Sequence, residues 1–174
     1  MNDLKQLLDS VRGGDRAAFE TLYESMKKPL FTIILRITQD FAISEDILQE
    51  LFLSIYFTPP ENTINPRAYM CRMARNLAID SVRKRKPVTV LEEAEHHSWH
   101  PQETLSASID VENALLALSD RDRQIVTLHI NGGLKFREIA TIMDIPLGTA
   151  LWAYRKAIRQ LRSILDAYTR TTLT

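Results

Sequence analysis

Apolar side chains recur at three- and four-residue steps along most of the chain, the spacing of amphipathic helices. The first such stretch ends at Gly13-Gly14, which predicts a short helix. Asp15 is the expected N-cap of a second helix, and Pro29 is expected to kink or split it. Ser44 is the expected N-cap of a third helix, with Asp46 in its first turn. The apolar positions of these three helices are Leu4, Leu7, Leu8 and Val11; Phe19, Leu22, Tyr23, Met26, Leu30, Ile33, Ile34 and Ile37; and Ile47, Leu48, Leu51, Phe52, Ile55 and Tyr56.

The third helix is apolar over a wider arc than one core contact requires. In one interpretation, the apolar side chains that do not face the core lie beside Gln49 and Glu50 and contact a partner. In the other, the helix is buried on two sides within its own bundle. The residues expected to face the core are Leu48, Leu51, Phe52 and Ile55. A polar, proline-containing loop is predicted next, from Thr58 to Ile64.

A fourth helix is predicted over Tyr69 to Lys86, with a start signal at Asn65-Pro66 and a stop at Pro87. One side is apolar and the other is rich in cations, so the helix can pack on a core and also meet a polyanion. Cations at a helix C-terminus also complement the helix dipole without any partner. The apolar side consists of Met70, Met73, Ala74, Leu77, Ala78 and Val82, and the polar side of Arg72, Arg75, Asn76, Asp80, Arg83, Lys84, Arg85 and Lys86.

The helical pattern is lost from Val88 to Ser108, where acidic residues and a histidine cluster indicate a flexible linker. The cluster, His96, His97 and His100, suggests a zinc site completed by Cys71, but metal sites need closely set ligands on a rigid frame. We therefore interpret the segment as a solvated polar linker and predict no metal site.

The helical pattern returns from Ile109 in a second block. Ser119 is the expected N-cap of a helix that ends at Asn131-Gly132-Gly133. A short helix over about Phe136 to Met143, a turn from Asp144 to Thr149 and a long last helix follow. This order is the helix-turn-helix pattern, whose second helix normally lies in the DNA major groove. The helix before Ser119 has the apolar positions Val111, Ala114, Leu115 and Leu118.

Charge is distributed unevenly although the net charge is zero, with 22 Lys/Arg and 22 Asp/Glu. Residues 61–90 and 124–174 are basic and residues 91–123 are acidic, which suggests two separate polyanion-facing surfaces. The sequence contains no strand pattern, glycine-rich phosphate loop or nucleophile elbow. His129 lies among apolar residues, as a core or boundary histidine would. We therefore expect an all-α protein that is not an enzyme and needs no cofactor.

The expected location is the cytoplasm. Cys71 is the only cysteine, so an intramolecular disulfide is excluded, which fits a reducing compartment. The N-terminal residues MNDLKQLLDS are charged early and lack the apolar core of a signal peptide. No apolar run approaches membrane-spanning length.

Three stretches resemble motifs of the extracytoplasmic-function (ECF) sigma factors, the smallest group of the bacterial sigma-70 family. Residues 44–52, SEDILQELF, resemble the motif AEDxxQExF, and residues 74–84, ARNLAIDSVRK, resemble ARNxxxDxxR. The family's C-terminal helix-turn-helix pattern is followed by Leu118-Ser119, Arg123, Glu138-Ile139-Ala140, Gly148-Thr149 and Lys156-Ala157. The three stretches occur in the family's order between about residue 15 and residue 165, and together they are far more specific than any one alone.

The resemblance implies a sigma factor that binds core RNA polymerase, directs it to specific promoters and helps to melt the −10 element. The implied domains are residues 1–88, which bind polymerase and the −10 element, a linker at 89–108, and residues 109–174, which bind the −35 element. The implied partners are the polymerase β′ clamp helices and β flap, promoter DNA and, as for many family members, an anti-sigma factor.

The resemblance also assigns site residues. Those implied for polymerase binding are Asp46, Gln49, Glu50 and Phe52. Those implied for −10 DNA are Asn62, Arg72, Arg75, Asn76, Asp80, Arg83 and Lys84, and the loop Thr58 to Ile64 matches the loop that captures a flipped base. Those implied for −35 DNA are Lys135, Arg137, Thr149, Trp152, Arg155, Lys156 and Arg159.

The start of the last helix departs from the family pattern. The family usually has Val-Lys-Ser-Arg where this chain has Ala150-Leu151-Trp152-Ala153, so two expected cations are missing. One side of the helix still carries Trp152, Arg155, Lys156, Arg159 and Arg162, and the other carries Ala150, Tyr154, Ala157, Leu161 and Ile164.

Two alternative functions remain at this point. One is a stand-alone helix-turn-helix regulator that uses only the second block, and the other is a protein-interaction module whose altered recognition helix no longer binds DNA. The first block, with its own basic helix and its broadly apolar helix, weighs against the stand-alone regulator. The departure at the start of the last helix keeps the interaction module under consideration.

Overall fold

The computed structural model describes the backbone of residues 3–85 and 106–172, with side chains for residues 4–85 and 111–167. All regular structure in these ranges is helical. The helices are α1 (Asp3–Arg12), α2 (Arg16–Thr38), α3 (Phe41–Phe57), α4 (Pro66–Arg85), α5 (Ser106–Leu116), α6 (Asp120–Ile130), α7 (Phe136–Met143) and α8 (Leu147–Thr172).

The described residues form two compact units, with α1–α4 in the first and α5–α8 in the second. The predicted all-α fold with two small domains is confirmed. Helix α5 begins at Ser106, inside the segment assigned to the linker. Most of that linker, its histidines and the predicted stop at Pro87 lie outside the described residues.

Helix α2 is the centre of the first unit and packs against α1, α3 and α4. Asp15 caps it as predicted, because its carboxylate accepts hydrogen bonds from the amides of Ala17 and Ala18 at 2.9 and 3.1 Å. Pro29 lies inside α2 and does not split it, so of the two expected effects only the kink stays a prediction. Burial of Met26 before the proline and of Leu30, Ile33 and Ile34 after it holds both halves in one helix.

Helix α3 starts earlier than predicted, with Asp40 rather than Ser44 as its N-cap. The Asp40 carboxylate accepts from the amide of Ile43 at 3.1 Å. Ser44 is fully buried inside the helix and donates to the backbone carbonyl of Asp40 at 2.6 Å. Arg85 also lies 3.4 Å from the Asp40 carboxylate and joins the end of α4 to the start of α3. The Ile43 amide and, less strongly, Arg85 hold the pKa of Asp40 below its usual value.

Helix α4 begins where predicted, since the Asn65 side chain accepts from the amide of Ala68 at 3.1 Å. The apolar side packs inward through Met70, Ala74 and Ala78, which are completely buried. Cys71 is buried with them. The opposite side of α4 is thereby fixed toward the surface of the unit.

In the second unit, Ser119 caps α6 as predicted by accepting from the amide of Asp122 at 3.2 Å. The turn after α6 requires Gly132, because an added Cβ would lie 2.5 Å from the backbone oxygen of Leu128. Buried Arg123, one of the motif residues, donates to the Asp120 carboxylate at 2.6 Å and therefore has a structural role.

The turn between α7 and α8 is tight and is centred on Asp144, whose φ of 52° is left-handed. Helix α8 begins at Leu147, two residues before the predicted end of the turn. It packs on α5, α6 and α7 through small residues that are fully buried: Ala150, Ala153 and Ala157.

His129 is a packing residue, as its apolar surroundings predict. Its ring stacks on Phe136 with centroids 4.4 Å apart and meets the edge of Tyr154 at 4.9 Å. Its Nδ1 lies 2.8 Å from the backbone oxygen of Leu134. The histidine therefore joins α6, α7 and α8 around the helix-turn-helix.

Candidate nucleic-acid and protein interfaces

A shallow groove on α3 brings together three of the four residues assigned to polymerase binding. Asp46, Gln49 and Glu50 line it together with Leu53, Ser54 and Phe57. Leu53 is 48% exposed and Phe57 75% exposed. Part of the apolar surface of α3 therefore faces outward, so the helix is not buried on two sides within its own bundle, and contact of this surface with a partner stays a prediction. We name this surface, formed by residues 46, 49, 50, 53, 54 and 57, the α3 groove.

Phe52, the fourth residue assigned to polymerase binding, belongs to the core instead. Its side chain is 3% exposed. Its ring lies 4.7 Å from that of Tyr23 and 6.2 Å from that of Phe19. Ile47 is buried where Leu48 was expected, and Leu48 is half-buried. Phe52 therefore anchors α3 to α2.

The sequence reasoning missed Leu53 and Phe57. A signal for them was available, because residues 46, 50, 53 and 57 follow the three- and four-residue steps of a single helical stripe. Phe52, the aromatic residue of the motif, lies on a different side of α3 from this stripe.

The polar side of α4 presents most of the residues assigned to −10 DNA. Arg72, Asn76, Asp80, Arg83 and Lys84 are exposed, and Arg75 is half-buried. Burial and, to a smaller extent, the charge of Arg83 hold the pKa of Arg75 below its usual value. Because Arg85 contacts Asp40, it contributes to the fold as well as to the positive charge of this side.

The loop between α3 and α4 projects an apolar side chain into solvent. Ile64 is 94% exposed, and Asn62 has a left-handed φ of 52°. Arg12 donates from Nη2 to the backbone oxygen of Pro60 at 2.6 Å and pairs with Asp9 at 3.2 Å. Helix α1 therefore holds the start of this loop, a contact between residues 48 positions apart that the sequence pattern does not reveal.

The outward side of α8 carries the predicted row of residues. Trp152 is 59% exposed, and Arg155, Arg159 and Arg162 are exposed along the same side. Thr149, also assigned to −35 DNA, is half-buried.

Two further cations assigned to −35 DNA lie at the start of α7. Lys135 and Arg137 are exposed there. The amide of Lys135 donates to the Glu138 carboxylate at 2.7 Å, which closes the N-terminus of α7.

Lys156, also assigned to −35 DNA, already has two partners within the unit. Its Nζ lies 3.0 Å from the carboxylate of Asp122, which is 4% exposed. The same Nζ lies 5.5 Å from the centroid of the Trp152 ring. Asp122 was missed at the sequence level because it precedes Lys156 by 34 residues.

Within residues 3–85 and 106–172, no three His, Cys, Asp or Glu side chains come together as a metal site. The histidines His96, His97 and His100, for which no metal site was predicted, lie outside those ranges. Over the same part of the chain, no helix has both the length and the apolar character needed to span a bilayer.

Comparison with known families matches each unit separately. The family model described as Sigma-70 region 2 matches residues 22–88, which include the α3 groove and α4. The model described as Sigma-70, region 4 matches residues 108–161, which include the helix-turn-helix.

Two curated relatives resemble the chain over nearly its full length. The ECF RNA polymerase sigma factor SigK of Mycobacterium tuberculosis (strain ATCC 25618 / H37Rv) is 29% identical, covering 95% of both chains. The ECF RNA polymerase sigma factor SigW of Bacillus subtilis (strain 168) is 27% identical, covering 92% of this chain and 98% of that one.

Two solved structures share the fold. CnrH, solved in complex with the cytosolic domain of CnrY, has a TM-score of 0.69 at 16% identity, covering 95% of this chain and 98% of that one. The sigma factor RpoE from Bartonella quintana, solved with the anti-sigma factor NepR, has a TM-score of 0.66 at 20% identity, covering 85% of this chain and 96% of that one. With both sigma-70 regions matched in order over more than half of its length, the chain belongs to the sigma-70 family as an ECF RNA polymerase sigma factor.

Proposed function

We propose that the chain binds core RNA polymerase through the α3 groove, melts the −10 element with α4 and the preceding loop, and reads the −35 element with α8. The observation that carries this proposal is the α3 groove. It is an outward-facing apolar and acidic surface within the same compact unit as the cation-bearing side of α4. A stand-alone helix-turn-helix regulator is not favoured, because it has no use for a region 2 unit.

The α3 groove has the composition of a protein interface. Leu53 and Phe57 supply apolar area that the fold leaves uncovered, while Asp46 and Glu50 supply negative charge beside it. Interfaces combine an apolar centre with a polar rim, and complementary charge selects the partner. We therefore propose a partner surface on polymerase that is apolar in the middle and positively charged around it.

The polar side of α4 suits a melted strand. Arg83 and Lys84 provide charge for phosphates, and Asn76 provides hydrogen-bond donors and acceptors for base edges. In the loop, the almost fully exposed Ile64 offers an apolar surface for an unstacked base. Asn62, at its left-handed φ, lies two residues away in the same loop.

The outward side of α8 suits duplex DNA. Arg155, Arg159 and Arg162 give it positive charge for phosphates, which contribute affinity without sequence choice. Trp152 supplies an apolar surface of the kind that reads a thymine methyl group in the major groove.

On this proposal the protein is an initiation factor that acts in the cytoplasm and performs no catalysis of its own. Its likeness in fold to RpoE, which was solved with the anti-sigma factor NepR, supports an anti-sigma factor as a further proposed partner.

Reversal of charge at the α3 groove tests the proposal. Glu50→Lys should weaken binding to core polymerase by about tenfold or more, because close charge pairs across an interface contribute on the order of 1.5 kcal/mol or more. Glu45→Lys is the matched control, since Glu45 is exposed on the same helix but does not line the groove. Both variants should keep wild-type helicity and melting temperature. Equal polymerase affinity of the two variants would remove the α3 groove from the interface.

A further inference from the structure

Three side chains form a connected series from the interior of the second unit to the outward side of α8. Asp122 is buried in the first turn of α6. Lys156 contacts its carboxylate at 3.0 Å, and the same ammonium lies 5.5 Å from the centroid of Trp152. Lys156 follows Trp152 by four residues, so the two side chains are neighbours on one side of α8.

The buried carboxylate keeps Lys156 in place. The Lys156 side chain is 46% exposed but the Asp122 side chain only 6%, so loss of the ammonium would leave a buried carboxylate without its neighbouring opposite charge, which is unfavourable. Asp122 is 4% exposed, and the N-terminus of α6, in whose first turn it lies, supplies only a partial positive charge. If Lys156 moved to a DNA phosphate, it would leave Asp122 without its full counter-charge.

The position of Lys156 also restrains Trp152. An ammonium within about 6 Å of an indole centroid is attracted to the face of the ring. A side chain as exposed as Trp152, at 59%, would otherwise lose rotamer freedom when it bound a base. A ring whose orientation is already restrained loses less side-chain conformational entropy on binding.

We propose that Asp122 and Lys156 position Trp152 to read a base pair of the −35 duplex, and that Lys156 does not neutralise a phosphate. Lys156 is then a positioning residue and Trp152 the specificity-determining one. The ligand chemistry is the C5-methyl group of a thymine in the major groove. This inference rests on the proposed reading of −35 DNA by the second unit.

The test uses the full chain assembled with core RNA polymerase. Its affinity is measured for the duplex that the wild type selects and for single-base-pair variants of that duplex, each at several salt concentrations. Lys156→Met removes the charge but keeps an unbranched apolar stem. Arg159→Met is the matched control, because Arg159 is an exposed cation on the same side of α8.

Lys156→Met should lower discrimination at one base pair by about 5-fold to 150-fold, the range of a single mismatch, with the salt slope unchanged. Arg159→Met should instead weaken all duplexes alike and reduce the slope of log affinity against log salt by about 0.9. A comparable loss of slope in Lys156→Met, with discrimination preserved, would overturn the proposal.

Because Lys156→Met leaves Asp122 unpaired, a second variant keeps the test valid if the first unfolds. Asp122→Asn is nearly isosteric, removes the buried charge and frees the ammonium. It should lower discrimination at the same base pair while α6 and α8 stay folded, and unchanged discrimination in this folded variant would overturn the proposal. Trp152→Ala should abolish the same discrimination, and adding Lys156→Met to it should have no further effect on discrimination.

The outcomes separate the inference from the proposed function. If the wild-type assembly prefers no −35 duplex over another, the proposed −35 readout is wrong and the inference falls with it. If the wild type discriminates and both Lys156→Met and Asp122→Asn discriminate equally well, only the inference is wrong.

Discussion

Truncation of Phe57 should weaken the contact with polymerase without weakening the fold. The residue is 75% exposed at the end of the α3 groove, so Phe57→Ala removes little buried area from the free protein. Full burial of such a side chain stabilises by about 1.5–3 kcal/mol. If polymerase covers the exposed three quarters, Phe57→Ala should cost about 1–2 kcal/mol of binding, or about 5-fold to 30-fold in affinity.

The same substitution at Phe52 provides the matched contrast. Phe52 is 3% exposed and packs against the rings of Tyr23 and Phe19. Phe52→Ala should therefore cost about 3–5 kcal/mol of folding free energy through the cavity it leaves. For a unit of this size, that loss lowers the melting temperature by about 10 °C or more.

Both variants are measured for thermal unfolding by circular dichroism and for affinity to core polymerase by titration of a fluorescent label. Phe57→Ala should lose affinity at wild-type stability, and Phe52→Ala should lose stability first. Wild-type affinity in Phe57→Ala would refute the placement of the α3 groove at the interface. Wild-type stability in Phe52→Ala would refute the assignment of Phe52 to the core.

Three further predictions concern α4, the loop and the start of α3. Asn76→Ala should lower open-complex formation more than initial promoter binding. Permanganate footprinting measures this, and thymines near the start site that react as strongly as with the wild type would contradict the prediction. Arg12→Ala should speed hydrogen exchange in the 58–64 loop, whereas Arg16→Ala, at a nearby exposed arginine, should not; equal exchange in both would show that Arg12 does not hold the loop. A carboxyl group whose pKa is lower in the folded state than in the unfolded state stabilises the fold at pH values above the unfolded-state pKa. This stabilisation is lost as the pH falls through the folded-state pKa. Asp40→Asn should therefore be less stable than the wild type at neutral pH, and the difference in stability should vanish well below pH 3.8, the ordinary pKa of the carboxyl group. Urea titrations measure this difference, and a difference that persists at pH 2 would show that the charge of Asp40 is not its cause.

Helical periodicity predicted the helices well because burial of one side dominates their stability. Caps were predicted correctly at Asp15, Asn65 and Ser119, each of which stands directly before its helix. Before α3, however, Asp40 and Ser44 are both of capping type, and periodicity alone does not choose between them. The three apolar or small residues Phe41-Ala42-Ile43 extend the helix back to Asp40.

The site could be predicted only as far as it depends on local spacing. Asp46, Gln49 and Glu50 share a side of α3 by helix geometry alone. The burial of Phe52 depends on rings from α2. The hydrogen bond of Lys156 within the unit depends on Asp122, which lies in another helix. A motif identifies residues that matter to a family, but contacts between distant segments determine whether such a residue binds a partner or supports one that does.

Run-off transcription on a library of genomic fragments, with core polymerase alone or with the purified chain, tests promoter-directed initiation most directly. We expect new transcripts with defined start sites that appear only when the chain is present and that share two upstream sequence elements. The same start sites with and without the chain, under conditions where it binds core polymerase, would contradict its role as a promoter-specificity factor.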